Sequence, residues 1–150
     1  MTDPTFDTAV TRTYGCRLPI VAGGLMWLSD ASYVAAGANA GIMSFLTAAS
    51  FPEPADLRAE IAKCRKLCGD RPFGVNVSML PKLVEGERIA DTFRLIADEG
   101  VRFVETSGRN PEAFLPFLKD AGIRVLHKVP SVRYAVKAQQ VGVDMVSIVG

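Results

Sequence analysis

The feature that most constrains the fold of this chain is a recurring dipeptide in which Gly is followed by Ile or Val. It separates a helix-like stretch from an apolar, β-prone run at Gly41-Ile42, Gly100-Val101, Gly122-Ile123 and Gly142-Val143. Glycine suits the left-handed backbone position just past a helix end, and short apolar runs are typical of buried strands. The pattern therefore predicts helices that alternate with buried strands.

Six strands and five intervening helices follow from this pattern. The predicted strands are Leu18–Ala22, Ile42–Leu46, Phe73–Leu80, Phe103–Thr106, Val125–Val129 and Asp144–Val149. The first predicted helix runs from Ser29 or Asp30 to Asn39, and the fifth begins at Ser131. The second and third have apolar residues spaced along one face, at Leu57, Ile61, Cys64 and Leu67 and at Ile89, Phe93, Ile96 and Ala97. The fourth begins with the cap Asn110 and has Pro111 in its first turn. Because Pro116 removes a backbone donor, it predicts a kink or a late start in the fourth helix.

Strands alternating with helices indicate an α/β fold with a parallel sheet and right-handed crossovers. The even spacing, without a long excursion that would mark a reversal of strand order, favours a (β/α)8 TIM barrel over an open doubly wound sheet. A complete barrel has eight units and about 250 residues. We therefore expect residues 1–150 to supply the first five βα units and the sixth strand of one barrel domain, with unpaired edges at strands one and six that allow association into a homo-oligomer.

The composition excludes several classes of partner. Seventeen basic and sixteen acidic residues leave a net charge of +1, which gives no reason to expect nucleic acid or an anionic membrane. The N-terminus lacks the pattern of a secretory signal, and no segment approaches the ~20 apolar residues of a membrane span, so a cytoplasmic location is expected. The three cysteines, Cys16, Cys64 and Cys68, are then expected to be reduced packing thiols, and no metal site is predicted.

The turn after the first strand is rich in glycine. It reads Gly23-Gly24-Leu25-Met26-Trp27, and in a barrel the chemistry lies at such carboxyl ends of strands. The glycines are equally compatible with a tight βα turn and with the close approach of a ligand to the backbone. Met26 and Trp27 are compatible with the core or with a wall against a flat ring.

Polar side chains also occur near the ends of the third and fifth strands. Asn76 and Ser78 lie two residues apart, hence on one face of a strand, and a buried amide must find a partner in a neighbouring loop or a ligand. Lys128 at a strand end is costly unless it reaches water or an anion. These groups together suit a planar, polar, partly anionic ligand.

Other polar residues near the strand ends carry less weight. Thr106 and Ser107 are interpreted as the start of a turn. His127 is interpreted as a structural histidine, because no acidic residue lies beside it and the chain has no second histidine. No nucleophile–base pair and no pair of carboxylates is visible at the strand ends, which disfavours a hydrolase or a glycosidase.

Four segments carry a resemblance to a known family: Ile20–Asp30 (IVAGGLMWLSD), Arg71–Leu80 (RPFGVNVSML), Val104–Pro111 (VETSGRNP) and His127–Ile148 (HKVPSVRYAVKAQQVGVDMVSI). In order and spacing they resemble the nitronate monooxygenase family, formerly called 2-nitropropane dioxygenase. The family includes relatives that reduce quinones with NADH and related flavin-dependent enoyl reductases.

The resemblance implies a barrel that binds FMN without covalent attachment and oxidises alkyl nitronates with O2, or alternatively reduces quinones or enoyl substrates with NAD(P)H. The implied small-molecule partners are thus a nitronate, a quinone or NAD(P)H. The family's catalytic histidine follows the sixth strand and falls beyond Gly150, so no catalytic residue is assigned and residues 1–150 alone are expected to be inactive. The implied cofactor contacts are Gly23, Gly24, Leu25, Met26, Asn76, Ser78 and Lys128. An alternative of another class is a non-catalytic, truncated half-barrel.

Overall fold

The structure is a computed structural model that describes residues 6–79 and 86–149. Within them, six strands form one parallel sheet in chain order. The strands are β1 (Val21–Ala22), β2 (Met43–Thr47), β3 (Gly74–Met79), β4 (Phe103–Gly108), β5 (Arg124–Val129) and β6 (Met145–Ile148). Consecutive strands of a (β/α)8 barrel pair in chain order, as these do. An open doubly wound sheet would instead show a reversal of strand order. The predicted partial barrel is therefore confirmed.

The described ranges contain six α-helices, one more than the sequence pattern predicts. They are α1 (Ala9–Tyr14), α2 (Ala31–Ala40), α3 (Pro54–Cys68), α4 (Gly86–Asp98), α5 (Leu115–Asp120) and α6 (Val132–Val141). The additional helix is α1, whose six residues are too few for a periodic pattern. Thr8 and Thr11 begin it with reciprocal hydrogen bonds between each side chain and the other's backbone N–H.

Glycines of the repeated dipeptide lie at the ends of helices, as predicted. Gly41 ends α2 and Gly142 ends α6, both in the left-handed conformation with φ of 88° and 89°. Asp30 accepts a hydrogen bond from the backbone N–H of Tyr33 as the N-cap of α2, and Ser131 is the N-cap residue of α6. The helix starts expected at these two residues are confirmed.

The fourth predicted helix starts late, as the position of Pro116 suggested. A 3-10 helix over Glu112–Phe114 precedes α5, and Pro116 lies in the first turn of α5, where its missing N–H costs nothing. The prediction that Asn110 caps this α-helix is wrong. The side-chain oxygen of Asn110 accepts from the backbone N–H of Glu112, so it supports the start of the 3-10 helix instead.

Several strand boundaries differ from the prediction. β1 comprises only Val21–Ala22 of the predicted Leu18–Ala22, because the chain bends at Leu18 and Pro19 ahead of it. β4 extends two residues past Thr106, to Gly108, because its pairing with β3 continues that far. The predicted end of the third strand, Leu80, lies outside the described residues.

Two apolar cores lie on the two faces of the sheet. The larger one packs α2–α5 against outward-facing strand residues such as Leu46, Val75 and Val104. The smaller one lies inside the curve of the sheet and contains Phe45 and Phe103. Tyr14 of α1 packs edge-on against both of these rings, at centroid distances of 6.2 and 5.1 Å. The amino end of the half-barrel is therefore filled, and the space above it at the carboxyl end remains for a site.

Candidate functional site

A buried carboxylate, Glu105, lies at the centre of the residues that face into the half-barrel. Its side chain belongs to β4 and the residue is 1% exposed. The Oε2 atom accepts hydrogen bonds from the backbone N–H of Gly24 at 2.9 Å and from Nδ2 of Asn76 at 2.6 Å, and it lies 3.2 Å from Nζ of Lys128. A buried charge is tolerated when it is paired and hydrogen-bonded. These contacts join the β1–α2 turn to three strands.

The backbone register brings these side chains together. Asn76 of β3 is the ladder partner of Glu105, and Leu126 of β5 is its partner on the other side. Side chains alternate across a strand, so Lys128 faces the same interior as Leu126, one step nearer the carboxyl end. Thr47 of β2 is in register with Asn76 and completes the row.

The glycine turn packs directly on this row. A β-carbon on Gly23 would lie 2.7 Å from Oε1 of Glu105, and one on Gly24 would lie 2.4 Å from Cβ of Asn76. Real β-carbons do not approach other heavy atoms that closely. Both glycines therefore have a packing reason within the protein, which is the tight-turn interpretation of the sequence. Whether a ligand also contacts their backbone stays a prediction.

Most amide groups of this turn already have acceptors. Gly24 donates to Glu105, Leu25 donates to Oγ of Ser29 at 2.8 Å, and Trp27 donates to Oγ of Ser50 at 2.9 Å. Trp27 holds a left-handed backbone with φ of 68°, a conformation that costs a bulky residue about 1–2 kcal/mol. The turn is thus held in one fixed shape, with 74% of Trp27 exposed to solvent.

A cleft of about 430 Å³ opens inside the curve of the sheet, a volume within the usual range of about 300–1,000 Å³ for ligand sites. Its apolar walls come from both edges of the half-barrel, and its polar groups come from the turn and from Glu105 and Lys128. The lining residues include Val21, Gly23, Gly24, Leu25, Leu126, Met145 and Ser147.

The structure brings most of the sequence-predicted site residues to this cleft. The cleft is lined by Gly23, Gly24, Leu25 and Lys128. Asn76 donates a hydrogen bond to Glu105, which also lines the cleft. Met26 and Ser78 are not among the described residues that line the cleft: Met26 lies in the exposed turn and Ser78 lies beside Ser107 of β4. Contacts of all these residues with a cofactor remain predictions.

Thr106 and His127 lie on the other face of the sheet. Oγ1 of Thr106 and Nδ1 of His127 are 2.8 Å apart, and both residues are buried toward the helices. Burial lowers the pKa of His127, partly offset by a hydrogen bond involving the Thr106 backbone. The interpretation of His127 as a structural residue is confirmed, whereas Thr106 belongs to the strand and not to a turn.

Glu105, the residue that organises the site, is not among the site residues predicted from the sequence. It is a single acid that lies three residues before the end of β4, whereas the prediction concerned acids at strand ends and pairs of carboxylates. The available signal was a single charged residue in the buried run Phe103–Thr106. Such a charge must be paired, and its alternation with Phe103 places it on the interior face.

The three cysteines are free and buried. Cys64 and Cys68 lie on the face of α3 that packs in the larger core, and Cys16 belongs to the smaller core. Burial, together with the smaller effect of the neighbouring Cys68, raises the pKa of Cys64 to about 12. Since the thiolate is the reactive form, the packing interpretation of these thiols is confirmed.

Two further findings concern the described part of the chain. Among residues 6–79 and 86–149, no three or more His, Cys, Asp and Glu side chains are grouped in a way that could hold a metal ion. No helix in those same ranges is long and apolar enough to cross a membrane.

Known proteins share both sequence and fold with this chain. The (3aS,4S,5R,7aS)-5-hydroxy-7a-methyl-1-oxo-octahydro-1H-indene-4-carboxyl-CoA dehydrogenase of Mycobacterium tuberculosis is 29% identical over 143 residues, which cover 95% of this chain and 38% of that protein. FabK from Thermotoga maritima is 29% identical with a TM-score of 0.81, covering 95% of this chain and 43% of FabK. A nitroalkane oxidase from Streptomyces ansochromogenes shares the fold, with a TM-score of 0.78 at 23% identity over 95% of this chain and 49% of the oxidase.

The chain spans less than half the length of each of these relatives. It also matches a family model described as nitronate monooxygenase over residues 7–150, nearly all of its length. This chain therefore belongs to the nitronate monooxygenase family.

Proposed function

We propose that this protein is an FMN-dependent oxidoreductase that oxidises alkyl nitronates with O2. The observation that supports the proposal most directly is the cleft at the carboxyl ends of the strands, where Lys128 and the glycine turn face one space. Ligands bind at this end of a barrel. When bound, FMN would supply the redox chemistry, taking electrons from the substrate and giving them to oxygen.

The residues of the cleft fit a flavin. Val21, Leu126 and Met145 offer apolar surface for a flat ring, and Lys128 offers a cation for a polar, partly anionic edge. The amide of Met26 has no acceptor among the described residues, whereas those of Gly24, Leu25 and Trp27 do. Backbone contact with a cofactor is therefore expected through Met26 or through carbonyl groups of the turn.

A proton acceptor for the substrate is not available among the described residues of the cleft. His127 faces the helices and is bonded to Thr106, and Glu105 already binds three donors through one oxygen. These contacts hold and orient other groups of the protein. The histidine that the family places after the sixth strand is therefore the expected base.

A second candidate reaction is the oxidation or reduction of an acyl-CoA thioester. It is favoured by the indene-carboxyl-CoA dehydrogenase, whose identity of 29% exceeds the 23% of the nitroalkane oxidase. The exposed apolar side chains beside the cleft, Leu25 and Trp27 at 49% and 74% exposure, offer surface for the hydrocarbon part of such a substrate.

The test begins with flavin binding by the purified protein. FMN fluorescence should be quenched on binding, and Lys128→Met should weaken binding at least about tenfold because it leaves Glu105 as an unpaired negative charge. Lys63→Met is the matched control, since Lys63 is an exposed lysine of α3 whose acidic partner among the described residues is Glu60, at 3.7 Å. Failure to bind FMN would refute the proposal and favour the non-catalytic half-barrel.

The choice of reaction is then decided anaerobically with loaded protein that includes the segment after the sixth strand, where the expected base lies. Bleaching of the flavin by an alkyl nitronate, followed by recovery with O2, is expected for the first candidate. Bleaching by a saturated acyl-CoA or by NAD(P)H, without a response to nitronates, would replace it with a thioester or quinone oxidoreductase.

A further inference from the structure

We propose that Glu105 is a positioning residue whose charge cancels that of Lys128, so that the cleft presents a dipole and not a lone cation to the bound flavin. The inference rests on the proposed function, because it concerns the electrostatic environment of FMN. It extends that function by assigning a role to a residue that faces the site from the middle of a strand.

The geometry of the pair carries the inference. Oε2 of Glu105 and Nζ of Lys128 are 3.2 Å apart, and the side chains are only 2% and 22% exposed, so water screens the pair weakly. Among the described residues that line the cleft, these two are the only charged ones. At distances larger than their separation, two opposite charges act as a dipole, whose potential falls off faster than that of a single charge.

The surroundings of Glu105 show why its role is structural and electrostatic. The same carboxylate oxygen accepts from the β1–α2 turn through Gly24 and from β3 through Asn76. The other oxygen faces Gly23 so closely that no β-carbon fits there. Through Oε2, Glu105 thus fixes the turn and orients Lys128.

The effect on the flavin has a definite sign. Glu105→Gln keeps a carbonyl oxygen that can accept from Gly24 but removes the negative charge, leaving Lys128 as a lone cation. Because reduction adds negative charge to the flavin, the reduced form should gain affinity relative to the oxidised form. Coulomb's law with an effective dielectric of about 20 and a separation of about 10 Å gives roughly tenfold, which corresponds to a midpoint potential higher by about 30 mV for two electrons.

The experiment measures the FMN midpoint potential by equilibration with a reference dye in the wild-type protein and three variants. Glu105→Gln should raise the potential, Lys128→Met should lower it, and the double variant should return close to the wild type, since both charges are then absent. Asp70→Asn is the control, because it removes one negative charge from an exposed loop ahead of β3 and should leave the potential unchanged.

The outcomes separate this inference from the proposed function. A wild-type protein that binds no FMN overturns both. A wild-type protein that binds FMN while Glu105→Gln leaves or lowers the potential overturns only the charge-cancelling role. Should Glu105→Gln fail to fold, the comparison of Lys128→Met with the wild type decides, because an unchanged potential there also refutes the pairing.

Discussion

The packing of the glycine turn on the strands makes a quantitative prediction for Gly24→Ala. The new β-carbon would lie 2.4 Å from Cβ of Asn76 and 2.7 Å from Oγ1 of Thr47. Cβ of Asn76 is fixed to the middle of the sheet, so the turn must lift instead. Lifting breaks the hydrogen bond between Gly24 and the buried carboxylate of Glu105, and a bond to a charged group contributes about 1.5–3 kcal/mol. We therefore expect Gly24→Ala to lower the free energy of unfolding by about 2–3 kcal/mol.

Thermal unfolding followed by circular dichroism tests this expectation. For a domain of this size, each kcal/mol shifts the melting temperature by about 2–4 °C, so a decrease of about 4–12 °C is expected. Gly15→Ala is the control: it forces a left-handed alanine with φ of 72° but meets no atom within 4 Å, and should cost about 1–2 kcal/mol. Adding Thr47→Ala to Gly24→Ala should restore little, because the contact with Asn76 remains. A melting temperature for Gly24→Ala at or above that of the control would refute the packing argument.

Four further expectations follow from particular side chains. Burial lowers the pKa of His127 below 6.5, so the folded state resists protonation of this side chain. The contribution of His127 to stability is complete above pH 6.5 and decreases as the pH falls toward the folded-state pKa. The free energy of unfolding should change by at most about 1.4 kcal/mol per pH unit. Urea denaturation between pH 7.5 and 5 should show this slope for the wild type and lose it in His127→Gln. Burial and a pKa of about 12 should keep Cys64 unreactive toward a thiol reagent until the protein unfolds; rapid labelling of the native protein would contradict this. Oγ1 of Thr47 is buried without a hydrogen-bond partner among the described residues, so Thr47→Val should be neutral or stabilising by about 1 kcal/mol in the same assay. Trp27→Gly should relieve the left-handed strain at an exposed position and stabilise the protein by about 0.5–1 kcal/mol, whereas a loss of stability would show that the indole packs in solution.

Much of the fold could be predicted from the sequence because its signals are local. Gly41 and Gly142 end helices for a reason that lies in their own backbone conformation. Pro116 delays α5 because of its own missing N–H. In contrast, α1 could not be predicted: its six residues are held by the packing of Tyr14 on Phe45 and Phe103, which are distant in sequence.

The candidate site was predictable only where a residue's chemistry is unusual at its position. Lys128 and Asn76 stand out as polar groups in or beside buried strands, and the structure brings them together. Their common partner, Glu105, depends on the register between β3, β4 and β5, which a single sequence does not contain. Ser78 has the same spacing signal as Asn76 but lies one step farther along the strand, where its partner in register is another serine.

The central position of Glu105 changes how the other site residues are understood. Considered singly, the glycine turn, Asn76 and Lys128 each suggest a separate contact with a ligand. In the structure each already has a partner in Glu105, so their first effect is to hold one another before any ligand arrives. A preorganised site binds without having to order its own side chains, which lowers the free-energy cost of binding. The charge that a ligand meets is therefore set by the pair and not by Lys128 alone, and removing the charge of either member should alter the potential in the cleft.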